Sequence, residues 1–190
     1  MIHVTVLLHD PVILLVARFG LVGLFAAGCV QKLRDFDAFR DNVDHYELVP
    51  PFLLTPAALL LVLGEALIVA ALLVPATVTL GGVLAVLLLG AYAVAMSVNL
   101  FRGRRGLDCG CTGPALRQPI SEWLVLRNLL LAGAAWLAGS SGAAVVERAL
   151  GVWDYALVLV ALCVTGLLYM ASEQLLANAP GLQRLVYADD

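Results

Sequence analysis

The stretch FLLTPAALLLVLGEALIVAALLV, from Phe52 to Val74, decides the fold. It carries one charge, Glu65, and prolines bracket it, Pro50-Pro51 before and Pro75 after. A helix needs about 20 mostly apolar residues to cross a bilayer. A helix apolar on every side belongs in a large core or in lipid. Working outward, four more stretches have the same character: Pro11 to Val30, Val78 to Leu100, Ser121 to Ala138, and Val152 to Ala171. Composition agrees. Of 190 residues 62% are hydrophobic and 13% charged, with a mean hydropathy of +0.97. Soluble domains hold roughly 45–50% apolar and about 25% charged residues, and a small chain cannot bury such an excess. A soluble enzyme and a disordered chain are excluded as defaults. With a net charge of −3, no global basic field exists to hold nucleic acid.

The expected fold class is all-α: a polytopic membrane bundle of five spans. Residues 1–176 form a single membrane domain and 177–190 a short polar tail. Met1 to Asp10 lacks a basic n-region and a cleavage site, so the first apolar run reads as a retained helix. Between spans one and two, Leu33, Phe36, Phe39, Val43 and Tyr46 recur at helical spacing, opposite Arg34, Asp37, Arg40, Asp41 and Asp44. This predicts a short helix lying in the membrane interface. Orientation follows from the basic residues. Lys32, Arg34, Arg40, Arg102, Arg104, Arg105, Arg117 and Arg184 fall on one side and Arg148 on the other. The N-terminus is therefore expected outside and the loop after span three in the cytoplasm, with the chain in the cell (inner) membrane.

That loop contains Asp108-Cys109-Gly110-Cys111-Thr112-Gly113. Two cysteines one residue apart can close a small, strained disulfide ring, and strain makes a disulfide more oxidising. Gly110 relaxes the intervening backbone, and Gly113 with Pro114 shapes the following turn. Arg102, Arg104 and Arg105 upstream favour thiolate, whereas Asp108 opposes it. Three readings stay open: a redox pair, a soft-metal site for Cu(I) or Zn, or two inert thiols. Two thiols alone do not complete a structural zinc site, and His45 is the one histidine on that side.

Charges inside spans are functional candidates by default. Arg18 and Glu65 lie at similar depth and are predicted to pair. Arg127 and Asn128 in span four, Asn99 ending span three and Lys32 ending span one are expected to converge under the cysteine loop, anchoring it or placing a cation beside a thiolate. Cys29 reads as helix packing, with a resolving thiol as the sharper alternative. Cys163 lies mid-span.

The ordered series resembles the MauE family of methylamine-utilisation membrane proteins, related to DoxX-like proteins. It comprises Arg18, Lys32-Leu33, Phe39-Arg40-x-x-Val43-x-x-Tyr46-x-x-x-Pro50-Pro51, Glu65, Asn99-Leu100-x-Arg102-Gly103, Asp108-Cys109-Gly110-Cys111-x-Gly113 and Arg127-Asn128. The resemblance spans one to four. It implies a four-helix core like that of DoxX and vitamin K epoxide reductase-like proteins, here with a fifth helix added. It also implies a thioredoxin-like partner and a role in maturing a disulfide-rich amine dehydrogenase subunit, with Cys109 and Cys111 matching the family's presumed redox pair. This chain departs from the family at Thr112, where an aromatic residue is common, and at Cys29, where a small non-thiol residue is usual. The implied role is extracytoplasmic, opposite to the side that the basic residues give the loop.

The expected function is a membrane thiol-disulfide redox protein, a candidate oxidoreductase, that supports a partner's maturation. Its alternatives are an accessory subunit of a membrane redox complex and a soft-metal handling protein. The residues define no cofactor or metal site, and quinone enters by analogy alone. The expected surroundings are the lipid bilayer and a thioredoxin-like protein or membrane redox complex.

Overall fold

A computed structural model describes residues 10–110, 118–140 and 150–186. Six α-helices occur among them: α1 (Pro11–Arg34), α2 (Phe36–His45), α3 (Leu54–Leu73), α4 (Val78–Phe101), α5 (Glu122–Gly139) and α6 (Val152–Val186). The chain is all-α, and the one β-type contact among the described residues is an isolated bridge between Asp108 and Pro119.

Local chemistry sets the boundaries. Asp10 caps α1, accepting a hydrogen bond from the Val12 amide at 2.9 Å, and Pro11 takes the first helical position, where a missing N–H costs nothing. Asp35 leaves helical geometry and caps α2 by accepting from the Ala38 amide at 3.2 Å. The short helix expected from the spacing is therefore present. Its Phe36, Phe39, Val43 and Tyr46 are partly buried, while Leu33 stays exposed. Pro51 opens a short 3-10 turn into α3, and Pro75 opens another into α4. The extended Val74 between them fits the restriction that proline places on its predecessor.

Four helical stretches are long and apolar enough to cross a membrane: Pro11–Arg34, Pro51–Leu73, Pro75–Phe101 and Val152–Leu175. The fourth expected span, now α5, is not among them. Its 18 residues include Glu122, Arg127 and Asn128, which lower its hydropathy. It nevertheless packs closely along α4, and a helix of that length reaches about 27 Å. The contact is tightest where glycines meet. A Cβ on Gly82 would lie 2.6 Å from Gly139 Cα and 2.8 Å from the Ala135 carbonyl, so small residues admit the backbones to each other.

The core runs through α1, α3, α4 and α5 with Leu21, Phe25, Ile68, Leu72, Leu89 and Ala135 buried together. Helix α6 rests on α1, where Leu162 approaches Gly20, and leaves Leu157, Val160, Leu167 and Leu168 exposed. The ends of α1, α4 and α6 and the start of α5 gather at one end of the bundle, where the cysteine loop lies.

Candidate functional site

The loop closes as a clasp. The Cys109 amide donates to the Gln118 carbonyl and the Ile120 amide to the Leu107 carbonyl, both at 2.9 Å. The Asp108 carboxylate accepts from the Gln118 amide at 3.1 Å and the Gly110 amide at 3.4 Å. Asp108 thus braces the loop besides bringing negative charge to it. Gly110 adopts φ +69°, a left-handed conformation that side chains disfavour. Any Cβ there would also collide with the Asn42 amide. Asn42 holds the turn from α2: its Nδ2 donates to the Asp108 carbonyl at 3.2 Å and its Oδ1 accepts from the Gly110 amide at 3.1 Å.

Cys109 is disulfide-bonded, whereas Cys29 and Cys163 are free thiols. Cys111 and Gly113 lie outside the described residues. Cys109 is buried against Met96, Ile120 and Leu124, with Tyr46 and Tyr92 beside the cluster. Burial and the Asp108 charge push the Tyr46 phenol well above its usual range, so it stays protonated. Among the described residues one cation reaches the sulfur: Arg127 Nη2 lies 3.9 Å from Cys109 Sγ. The other guanidinium arm, Nη1, is ion-paired with Glu173 of α6. The Glu173 carbonyl in turn accepts from Gln118 Nε2 at 2.9 Å. A cleft of about 540 Å³ opens between α2 and the loop, with Asp35, Phe39, Asn42 and His45 on one wall and Asp108 and Gly110 on the other.

The expected polar convergence is partial. Arg127 does reach Cys109. Asn99 anchors α2 to α4, its Nδ2 donating to the Tyr46 and Ala95 carbonyls, each at 3.2 Å. Asn128 bonds within its own helix, to the Leu124 carbonyl at 2.9 Å. Lys32 turns inward to an ion pair with Glu65, which also accepts from the Tyr92 hydroxyl at 2.9 Å. Lys32 borders the cleft as well. Cys29 does not meet Cys109; its thiol faces the Val62 carbonyl at 3.8 Å.

The expected Arg18–Glu65 pair does not form. Arg18 instead donates to the carbonyls of Leu72 and, at 3.0 Å, Leu73. Helix register is the cause. Arg18 is level with the end of α3 and Cys29 with Val62, so Glu65 faces roughly residue 26, about 12 Å along the axis from Arg18. Side chains also lean toward their helix N-terminus. In antiparallel α1 and α3 this carries Arg18 away from Glu65, but brings Lys32 and Glu65 toward each other. Equal depth counted from the helix ends overlooked that α1 starts beyond the end of α3.

Four site residues escaped the sequence reading: Asn42, Tyr92, Gln118 and Glu173. Glu173 carried a signal, as a charge at the edge of the last apolar run while Arg127 lacked a partner. The others had none. Among the described residues no three His, Cys, Asp or Glu side chains gather as a metal-ligating group.

Fold and site together define a multi-pass helical membrane protein with a buried, cation-flanked cysteine at one end of its bundle. The family model described as "Methylamine utilisation protein MauE" matches residues 10–141. Proteins called methylamine utilization protein MauE are similar along most of the chain. That of Paracoccus denitrificans is 37% identical over 124 residues, 65% of this chain and 67% of the relative. That of Methylophilus methylotrophus is 38% identical over 128 residues, 67% of each chain. That of Paracoccus versutus is 32% identical over 168 residues, covering 88% and 89%. The chain belongs to the MauE family. No solved structure matches it.

Proposed function

We propose that this protein is a membrane thiol-disulfide exchange protein that serves methylamine utilisation by maturing a partner protein, with Cys109 and Cys111 as its redox pair. One observation carries the reading: Cys109 is disulfide-bonded and buried, with the Arg127 guanidinium 3.9 Å from its sulfur. A cation at that position stabilises the thiolate, the form that attacks or leaves in exchange. Cys29 and Cys163 are free, so the reading assigns Cys111 as the partner sulfur.

In one direction, a partner thiolate attacks the Cys109–Cys111 bond. That bond breaks, a mixed disulfide forms, and one cysteine leaves as thiolate. The partner's second thiol then attacks the mixed disulfide, closing the partner's disulfide and releasing the other cysteine. Two electrons pass from the partner dithiol to the pair, and the pair takes up the two protons that the partner loses. Delivery of a disulfide for reduction runs the same steps in reverse. A cysteine-bearing segment of a thioredoxin-like partner enters by the cleft beside Gly110, where Asn42 fixes the turn. In this reading α5 completes the crossing of the membrane, and the excess of basic residues at the loop end supports a cytoplasmic position for that end.

The test is the replacement of Cys109 or Cys111 by Ser, followed by partner maturation and by thiol trapping in intact cells with permeant and impermeant reagents. Loss of maturation in both variants with the protein still in the membrane is expected. Maturation unchanged in both would overturn the proposal.

A further inference from the structure

Arg127 is not free to serve Cys109 alone. Its guanidinium bridges two groups, with Nη1 on the Glu173 carboxylate and Nη2 at 3.9 Å from Cys109 Sγ. Glu173 is buried and Arg127 is largely shielded, at 6% and 11% side-chain exposure. Glu173 is fixed from the loop side as well, because Gln118 Nε2 donates to its carbonyl at 2.9 Å. Gln118 is itself 1% exposed and hydrogen-bonds Cys109 through its carbonyl. The remaining Glu173 oxygen, Oε2, accepts no hydrogen bond of ordinary geometry among the described residues, and the Tyr169 hydroxyl lies close to the carboxylate. The Tyr169 ring lies under the guanidinium, 5.8 Å from its carbon.

From this arrangement we infer that Glu173 is a positioning residue for Cys109: it holds Arg127 against the sulfur and offsets part of its charge, setting how readily the thiolate forms. The inference rests on the redox reading above. With the disulfide closed, the guanidinium and the carboxylate neutralise each other. When the disulfide opens and Cys109 leaves as thiolate, the buried group of thiolate, guanidinium and carboxylate carries one net negative charge. Uncompensated charge is costly where water is excluded. Glu173 therefore raises the thiol pKa above the value Arg127 alone would give, and so favours the closed disulfide. Among the described residues, the other titratable groups around this sulfur are Asp108 on its own loop, Tyr46 at the end of α2 and Tyr92 of α4, with Tyr169 of α6 beside the Arg127–Glu173 pair and Lys32, Asp35, Asp41 and His45 farther off around the cleft. Helix α4 contributes the apolar Met96.

The experiment uses the full chain in nanodiscs, with Cys29 and Cys163 replaced by Ser. First, disulfide formation is followed across a glutathione redox series. Second, the Cys109 alkylation rate by iodoacetamide is read against pH after adding Cys111→Ser. Glu173→Gln is expected to lower the apparent thiol pKa by about one unit. Well below that pKa the rate should rise roughly threefold, because lower basicity partly offsets the larger thiolate fraction. The disulfide should also open at a less reducing glutathione ratio. Glu173→Asp, which keeps the charge, should stay near the parent. The double variant Arg127→Gln/Glu173→Gln leaves no unpaired charge and so tests the idea even if the single variant fails to accumulate. Its thiol pKa should lie above the parent's, because the nearer charge has been lost. A disulfide that forms normally with an unmoved pKa in Glu173→Gln overturns the inference alone, as does a double variant at or below the parent. A parent in which no Cys109 disulfide forms at any ratio overturns the redox reading and the inference with it.

Discussion

A cavity of about 40 Å³ within this bundle is lined by Lys32, Glu65 and Arg127, members of two ion pairs that are built for different work. Lys32–Glu65 joins α1 to α3, and its contacts stay with the helices around it. Glu65 accepts from Tyr92, and the Lys32 ammonium lies 5.3 Å from the centre of the Phe39 ring and 5.4 Å from that of Tyr92. Arg127–Glu173 joins α5 to α6, but its cation reaches onward to a sulfur. The difference lies in the side chains. An ammonium is a compact point charge. A guanidinium is a flat fork whose two arms can serve two partners at once. The first pair registers helices, whereas the second couples helix packing to the cysteine loop.

The largest expected effect comes from breaking each pair in turn. Removing one partner of a buried pair costs about 3–5 kcal/mol, because the other charge is left uncompensated. Lys32→Met and Arg127→Met should therefore both lower the melting temperature in detergent by comparable amounts. Their redox behaviour should part. Lys32→Met should leave the glutathione ratio at which the Cys109 disulfide opens where it was, while Arg127→Met should make that disulfide harder to reduce. Equal shifts in both variants would erase the distinction between the pairs.

A smaller effect is expected where α2 holds the loop. Gly110→Ala forces a side chain into a left-handed φ and against Asn42, a local cost of about 1–3 kcal/mol. The clasp should loosen, and amide exchange at Cys109 and Ile120 should speed up while the bundle core stays protected. Asn42→Ala removes two hydrogen bonds to the same turn, worth roughly 1–2 kcal/mol together, and should give the same pattern more weakly. Protection unchanged in both would mean that the bridge at Asp108 and Pro119 holds the loop without α2.

The contrast between the pairs also marks what the sequence could disclose. Apolar runs bounded by proline disclosed the long helices, and the spacing from Phe36 to Tyr46 disclosed α2, because these features depend on neighbours in the chain. Cys109 and Arg127 stood out because a loop thiol and an intramembrane charge are chemically conspicuous. Partners were another matter. Whether Glu65 meets Arg18 or Lys32 depends on how far α1 slides past α3, which no local pattern records. Glu173 finds Arg127 through a contact spanning 46 residues. Asn42 is an ordinary polar residue on a polar helix until the fold sets Gly110 against it.

The mildest change is expected at the other buried cysteine. Cys29 is as buried as Cys109, each 9% exposed, yet no guanidinium reaches its sulfur, which faces the Val62 carbonyl at 3.8 Å. A serine hydroxyl can donate to that same carbonyl, and the lost sulfur contacts are modest. Cys29→Ser should therefore change stability by less than about 1 kcal/mol and leave partner maturation and Cys109 trapping as they were. If maturation instead stalled with a mixed disulfide trapped at Cys109, Cys29 would be the thiol that resolves it. Burial beside a carbonyl would then suffice for a reactive cysteine here, and the weight placed on Arg127 would be misplaced. With Lys32 and Glu65 both near Cys29, its expected indifference isolates a direct guanidinium contact, rather than burial, as what would separate a packing thiol from a reacting one.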